Sequence, residues 1–411
     1  MSLRLVTEET PGRGLVAVAL TVAAGGDDDP PGRHGMAHLV EHLMFPRGEG
    51  HEAGGFVALV QEAGGMCNAE THRDHTVLHT VVPADALPDV LALEARRLLR
   101  FRPAPATVRS ETAVIAEEIR AAGAGARLWD TVLAALHPGA RHAYGTTAEL
   151  TRATAEEAES FFRAHYRPER AVLSVVGDVD AGRVAALVER EFGAWAPGLP
   201  TAPHIPSGHV PSLHRPTLGA PIPYARDGAP IPYARDGVAV GHALADPRRD
   251  FRLYVAQVVL CELLRRSRLP HLVATAPEVD AATGQCGYQG QWLASAAPDL
   301  ALVLLGRVPG AGTEEAVGRW LEALGELAAT PPEETELRRA ARVLRAGCHR
   351  QSDSLPARAV THARAALLLP RATPDALPAH LAAVTPADVS TAARALLAAP
   401  RTVHPLEGAA A

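Results

Sequence analysis

The chain has 411 residues, of which 47% are hydrophobic, 21% are charged and only 4% are aromatic. This length is too great for one ordinary hydrophobic core, so two domains of roughly 200 residues each are expected. The formal net charge of −6 is spread along the chain and forms no basic surface of the kind that nucleic acid requires, which argues against a nucleic-acid partner.

The amino-terminal residues 1–14 contain no basic segment followed by an apolar run. No stretch of the chain approaches the roughly 18 consecutive apolar residues that a membrane span needs. These features predict a cytoplasmic protein with no membrane partner. The four cysteines, at positions 67, 261, 286 and 348, lie far apart and lack CxxC spacing, which is typical of small core residues and not of a disulfide framework.

Short β-rich runs at 15–22, 76–82 and 171–176 alternate with longer helical patterns in the first half of the chain. This alternation predicts a layered architecture in which helices cover one face of a sheet.

A helical pattern follows the polar loop 27–35 and ends at Pro46. At about 100° per residue, His38, Glu41 and His42 fall on one stripe. The opposite stripe is apolar and contains Met36, Leu39, Val40, Leu43 and Met44. Two imidazoles one turn apart are placed to bind a zinc ion, and HxxEH, the inverted form of HExxH, is a metallopeptidase signature.

A catalytic zinc ion needs a third protein ligand from elsewhere in the chain. The helical stretch 104–121 places Glu111 and Glu118 two turns apart, on the same face as Val114 and Ile115. Carboxylates on a core-directed face are costly to bury unless a cation or hydrogen-bond donors meet them. Glu117 points about a third of a turn away and is the weaker candidate.

Other readings of these histidines are simpler. HxxEH also fits a solvated helix face with no metal. His72, His75 and His79 have mixed spacing in a region that reads as a hairpin, and we expect them to be surface residues. His34, just before the motif helix, is expected to be a loop residue and not a ligand.

Residues 199–236 read as a Pro-rich linker between domains 1–198 and 237–411. The linker contains a nine-residue tandem duplication, GAPIPYARD, at 219–227 and again at 228–236. From residue 237 the earlier order recurs in outline. Its predicted elements are β-rich runs at 238–243, 287–295 and 300–308, a helix at 251–264, and two further helical stretches.

Taken together, these motifs resemble the pitrilysin/insulinase family, which includes mitochondrial processing peptidase. In that family an HxxEH helix is followed some 75 residues later by a helix with two glutamates six residues apart. Here 75 residues separate His42 from Glu118, and six separate Glu111 from Glu118. The stretches 64–76, 142–150 and 161–180 also resemble family segments.

The resemblance implies an α+β fold of two homologous domains, each a mostly antiparallel sheet covered by helices. It implies that His38, His42 and Glu118 bind one Zn²⁺, that Glu41 is the catalytic base, and that Glu111 orients a ligand histidine. The segment 64–76 would contain the strand edge that binds an extended peptide substrate. Its substrate-binding residues would be Asn68, Ala69 and Thr71.

The second half departs from the family pattern. Active relatives carry an Arg and a Tyr in a segment like LRxxxGLxY, which helps bind substrate. Here the segment is LLRRSRLPHLV at 263–273, with Arg265 or Arg266 available and His271 near the place of the tyrosine. Tyr288 is an alternative to that tyrosine. In short bacterial relatives the zinc motif and the Arg/Tyr pair can belong to two subunits, so this chain would be the zinc-bearing half.

The prediction is therefore a zinc endopeptidase that cleaves peptides in a closed chamber, with a homologous partner subunit supplying the Arg/Tyr pair. A leader peptide from a small modified natural product is one substrate that suits such a chamber. The alternative is a non-catalytic peptide-binding or scaffold subunit of the same fold. An obligate heterodimer would show no turnover in the isolated chain.

Overall fold

The computed structural model describes residues 3–45, 52–195, 217–218, 222–224, 236–296 and 298–408. The chain divides into two compact units, and neither is one continuous stretch. Unit 1 consists of residues 1–120, 141–205 and 349–374, and unit 2 consists of residues 121–140, 206–348 and 375–411. The predicted domain boundaries at 198 and 237 stay a prediction. In the structure, each compact unit also contains one segment from the other half of the chain.

Unit 1 contains a five-stranded sheet with the strand order β1-β5-β2-β4-β3. The outer pair β1 and β5 is parallel, and the other neighbours are antiparallel. This order leaves β3 at one edge of the sheet. The strands are β1 (Arg4–Glu9), β2 (Leu15–Val22), β3 (Met66–Thr71), β4 (Thr76–Pro83) and β5 (Ala171–Gly177).

The helices of unit 1, numbered in chain order, are α1 (Met36–Met44), α2 (Glu52–Glu62), α3 (Leu87–Leu99), α4 (Pro105–Ala121), α6 (Thr147–Leu150), α7 (Ala155–His165), α8 (Ala181–Phe192) and α13 (Leu355–Leu367). Side chains alternate across a strand, so one face of β2 packs in the core that includes α1, while Ala17 and Ala19 on the other face pack on α13. The expectation that helices cover only one face is wrong for this sheet.

Unit 2 contains a six-stranded sheet. Five of its strands lie in the order β6-β11-β8-β10-β9, and the sixth, β7, also pairs with β11. Strand β11 runs parallel to β6 and β7, and the other neighbours are antiparallel. The strands are β6 (Thr217–Leu218), β7 (Ile222–Tyr224), β8 (Gly237–Ala243), β9 (Val279–Cys286), β10 (Leu300–Arg307) and β11 (Arg401–Gly408).

The helices that lie wholly or mostly in unit 2 are α5 (Gly123–Leu136), α9 (Phe251–Leu263), α10 (Leu269–Thr275), α11 (Thr313–Ala329), α12 (Glu334–Ser352), α14 (Leu377–Ala382) and α15 (Pro386–Ala398). A π-helical turn, Leu264–Arg268, joins α9 to α10. Helix α5 packs on this sheet although it comes from the first half of the chain.

The α+β class predicted from the sequence is confirmed. The strand predicted at 287–295 is wrong. The preceding residues form β9, and the predicted stretch turns back through Gly287 and Gly290, whose φ angles are 85° and 77°. The predicted linker contributes β6 and β7, but most of its tandem duplication lies outside the described residues.

In the part of the chain that the structure describes, no helix combines the length and the apolar character that crossing a bilayer requires. The cytoplasmic location stays a prediction.

Candidate metal centre

Helix α1 has the two stripes that its sequence predicts. Its apolar residues are buried against the core of unit 1, and His38 is only 7% exposed. The side chains of Glu41 and His42 are 13% and 14% exposed, respectively. The helix therefore presents two imidazoles and a carboxylate at the border between core and surface.

Helix α4 brings Glu118 to these imidazoles. Its Oε2 atom lies 3.6 Å from His38 Nε2 and 3.5 Å from His42 Nε2. With zinc–ligand bonds of about 2.0–2.1 Å in tetrahedral geometry, neighbouring ligand atoms are roughly 3.3–3.4 Å apart. Within the described ranges, this is the only group of three or more His, Cys, Asp or Glu residues arranged to hold a metal ion. The three residues fit a zinc ion.

Glu111 contacts His42 at the ring nitrogen that does not face Glu118. Its side chain is buried, and Oε2 is 3.2 Å from His42 Nδ1. A proton on Nδ1 shared with this carboxylate leaves Nε2 free to bind a metal. Glu117, the weaker candidate for the third ligand, instead pairs with Arg120 on the exposed side of α4.

The protonation of the two histidines differs because their surroundings differ. Burial, with the nearby charge of His42, lowers the pKa of His38 to about 3. Burial also acts to lower the pKa of His42, but the hydrogen bond to Glu111 and the charges of Glu41 and Glu118 outweigh it and raise this pKa. His38 is therefore neutral at neutral pH, which is the form that binds a metal.

The carboxylate of Glu41 is largely buried, with a side chain that is 13% exposed, and lies on the same helix as the two histidines. Burial raises its pKa to about 7, against the opposing effects of His42 and of the hydrogen bond from Thr71. Thr71 Oγ1 donates that bond to Glu41 Oε2 over 2.9 Å. The carboxylate is thus held between α1 and the last residue of β3.

Strand β3 passes beside this centre, and in the part of the chain that the structure describes it is an edge strand of the sheet. The hairpin to β4 is closed by the hydrogen bond from His72 N–H to His75 O. Because hydrogen bonding alternates along an antiparallel strand, the main-chain groups of Cys67, Ala69 and Thr71 point away from β4. Among the described residues, the main-chain groups of two predicted substrate-binding residues, Ala69 and Thr71, form no main-chain hydrogen bond at this edge.

Comparison with known families agrees with this geometry. The family described as insulinase, peptidase family M16, matches residues 4–150, and the M16 inactive domain matches residues 152–275. The chain belongs to the insulinase family of M16 peptidases. The predicted resemblance to pitrilysin and insulinase is thereby confirmed.

The M16 relatives include proteins named as zinc proteases. A Mycobacterium leprae protein with this name is 34% identical over 197 residues, 47% of this chain and 44% of its own length. The zinc protease PqqE of Helicobacter pylori is 27% identical over 186 residues, 44% of this chain and 42% of its own length. The matched region is thus less than half the length of each relative.

The fold extends over the whole chain. The crystal structure of a protease from Helicobacter pylori superposes with a TM-score of 0.80 at 20% identity, covering 99% of this chain and 97% of that one.

The residues predicted to replace the M16 Arg/Tyr pair all lie in unit 2. Arg265 donates two hydrogen bonds to Glu262, at 3.1 Å and 2.9 Å. Arg266 pairs with the same carboxylate, and His271 is exposed on α10. The hydroxyl of Tyr288 bonds to Asp130. The substrate-binding role of Arg265 stays a prediction.

The sequence predicts that the hairpin histidines are surface residues, and this prediction is wrong for His75. His75 is fully buried, its Nδ1 lies 2.7 Å from Asp74 Oδ1, and its ring stacks on His72 at a centroid distance of 4.5 Å. The hairpin itself is confirmed. The prediction failed because a neighbouring aspartate supplies the polar partner that allows an imidazole to be buried.

Sequence reasoning missed Tyr144, whose ring lies edge-on to that of His38 at a centroid distance of 5.6 Å. In the sequence, the segment 142–150 shows only a likeness to a family stretch. Its position beside His38 depends on a contact across more than 100 residues of chain, which no local pattern encodes.

Proposed function

We propose that this M16 chain is a zinc-dependent endopeptidase that binds one Zn²⁺ through His38, His42 and Glu118. The observation that supports this most directly is the convergence of α1 and α4, in which one carboxylate oxygen lies 3.5–3.6 Å from two imidazole nitrogens. Two imidazoles and one carboxylate are a ligand set of catalytic zinc sites.

The surrounding residues have distinct tasks in this proposal. Zinc, when bound, supplies a Lewis acid that activates water and polarises the scissile carbonyl. Glu41 takes a proton from the attacking water and delivers it to the leaving amine. Burial raises the pKa of Glu41 to about 7, above the usual value of a glutamate. Glu111 holds His42 in the metal-binding tautomer.

The peptide would bind as an added strand on β3. The outward main-chain groups of Cys67, Ala69 and Thr71 would bond to the peptide main chain, which makes binding largely independent of sequence. The side chain of Asn68 is exposed on the same strand. Thr71, next to Glu41, would mark the end of the strand where cleavage takes place.

We further propose that this chain is the zinc-bearing subunit of a heterodimer, whose homologous partner supplies an Arg/Tyr pair and completes the chamber. The ion pairs of Arg265 and Arg266 with Glu262, and the bond of Tyr288 to Asp130, support a partner as the source of that pair. A leader peptide is one substrate that fits the proposal.

Replacing Glu41 with Gln tests the central claim. The variant should keep one zinc per chain by elemental analysis, since Glu41 is not a ligand. Its kcat/KM on an internally quenched peptide pool should fall at least about 100-fold, the usual contribution of a general base. Glu117→Gln, an exposed change on α4, is the matched control and should behave like the wild type.

Undiminished cleavage by the Glu41→Gln variant would remove this residue from the mechanism. The assays should be run with and without a homologous subunit that carries the Arg/Tyr pair. Turnover only in the mixture supports the heterodimer, whereas zinc binding without turnover in either case would favour the scaffold alternative.

A further inference from the structure

Asp29 holds the start of the helix that carries the metal-binding histidines. Its side chain lies in the loop between β2 and α1, and the residue is only 5% exposed. Oδ2 accepts a hydrogen bond from Gly35 N–H at 2.6 Å, and Oδ1 accepts one from Ala37 N–H at 2.8 Å. Both carboxylate oxygens are therefore bonded to the first turn of α1.

This arrangement is unusual, because the first amides of a helix are normally capped by the side chain of the N-cap residue. The N-cap residue of α1 is Gly35, which has no side chain and a φ of 103°. Asp29, six residues upstream, takes over that task. Burial raises the pKa of Asp29 to about 7, against the opposing hydrogen bonds from Gly35 and Ala37. When ionised, the carboxylate also places its charge at the positive end of the helix dipole.

A close approach of two chain segments explains why the cap comes from so far away. A Cβ atom at Gly35 would lie 3.0 Å from the Cα of Gly145, and one at Gly145 would lie 2.3 Å from the Cα of Gly35. No capping side chain fits at this crossing. The same crossing brings Tyr144 against His38, so the shape of the metal centre and the need for a remote cap have one origin.

The loop that contains Asp29 also connects α1 to the hairpin formed by β3 and β4. Arg141 donates to the main-chain oxygen of Asp29 at 3.0 Å. The neighbouring Asp27 accepts from Arg73, in the turn between β3 and β4, and from the main chain of Arg141, each at 3.0 Å. The first turn of α1 is thus anchored in a bonded network that reaches the proposed peptide edge.

We propose that Asp29 is a positioning residue that sets the orientation of α1 and thereby the geometry and affinity of the metal site. This inference rests on the proposed zinc-binding function. His38 directly follows Ala37, whose amide Asp29 holds, and Glu41 and His42 lie on the same short helix of nine residues. A rotation of the first turn would move the Nε2 atom of His38 away from that of His42.

Asp29→Asn is the first test, because an amide keeps the size of the side chain but replaces one of its two acceptor oxygens with a donor. Zinc affinity, measured by competition with a chelator, should fall at least 10-fold. The visible absorption of the cobalt-substituted protein should also change, since it reports the ligand geometry. Asp28→Asn is the matched control: Asp28 lies in the same loop and bonds to Gly25 N–H and to Arg170, and this variant should match the wild type.

Asp29→Glu provides a second variant in case the first does not fold. It keeps both acceptor oxygens, so its zinc affinity should lie between those of the wild type and Asp29→Asn. If circular dichroism shows that Asp29→Asn is unfolded, Asp29→Ala replaces it in the comparison, and the zinc affinity of Asp29→Glu should be well above that of Asp29→Ala. Lower thermal stability with an unchanged cobalt spectrum and unchanged zinc affinity would overturn the proposal, because it would show a merely structural role.

His42→Ala separates this inference from the proposed function. If His42→Ala loses zinc while Asp29→Asn binds zinc like the wild type, only the role of Asp29 is wrong. If His42→Ala binds zinc as tightly as the wild type, the ligand set itself is wrong, and the inference about Asp29 falls with it.

Discussion

The hydroxyl of Thr71 forms a hydrogen bond with the carboxylate proposed as the general base. The bond to Glu41 Oε2 is 2.9 Å long and partly buried, and it joins strand β3 to helix α1. The hydrogen bond fixes the orientation of the carboxylate, and a general base must be correctly oriented to take a proton from water.

Thr71→Val should therefore lower kcat/KM about 10-fold and leave zinc content unchanged. Valine keeps the β-branched shape that suits a strand but removes the donor, and hydrogen bonds to charged groups contribute about 1.5–3 kcal/mol. Thr71→Ser, which keeps the hydroxyl, is the control. Equal rates for all three proteins would show that Thr71 contributes only its main chain.

At the level of residues, local spacing accounts for which of the predicted side chains share a helix face. His38, Glu41 and His42 lie within two turns of one helix, and Glu111 and Glu118 within two turns of another, so helical periodicity alone places each set on one face. Asp29 and Tyr144 could not be predicted in this way. Each lies in an irregular segment, where no periodicity relates a residue to the face it meets.

Strand β3 can be tested as a peptide-binding element through its main chain. The amide of Ala69 points to the open edge, away from β4. A proline on an edge strand is tolerated where its missing N–H would face solvent. Ala69→Pro should therefore fold and keep its zinc, but it removes one donor to an added peptide strand.

For Ala69→Pro we expect KM for the quenched peptide pool to rise several-fold, with a smaller effect on kcat. Ala69→Ser changes the side chain at the same position and retains the N–H, so its KM should stay near the wild-type value. A normal KM in the proline variant would argue that substrate does not extend the sheet at this strand.

Element prediction succeeded where hydrophobic periodicity was strong and failed where it was weak. Strands β2, β4, β5, β8 and β10 were expected from their β-rich runs. Strand β9, with the sequence VDAATGQC, lacks a β-branched or aromatic pattern, so its sequence does not predict a strand, whereas the stretch that follows it does. The terminal strands β1 and β11 were also missed, since each contains several polar or charged residues.

The exchange of helices between the two halves of the chain could not be predicted from the sequence. Helix α13 covers one face of the unit 1 sheet, and α5 packs on the unit 2 sheet. The apolar stripe of a helix shows that one face is buried, but it carries no information about which sheet buries it. Contiguous domains were the simplest expectation from the linker, and the exchange appears only in the folded chain.

The exchange predicts that residues 1–198 do not fold alone. In the full chain, Ala17, Ala19, Val172 and Val176 are at most 2% exposed, since Leu355, Ala359 and Ala363 of α13 pack in the same cluster. The fragment would expose this face and also the apolar face of α5. Exposed apolar surface of this kind leads to association or to loss of fixed packing.

The fragment 1–198 should therefore bind a hydrophobic dye and sediment as larger species. In a second fragment, a flexible linker replaces residues 121–140, and another flexible linker attaches residues 349–374. This fragment should be monomeric and melt cooperatively, because it restores unit 1. Ala359 is fully buried, so Ala359→Glu in this second fragment should abolish cooperative melting by placing a charge between α13 and the sheet. The control is Arg350→Glu, at an exposed position, which should leave the melting cooperative. Cooperative melting of a monomeric fragment 1–198 would mean that the sheet is stable without α13, and that this helix is an addition to unit 1 and not a part of its core.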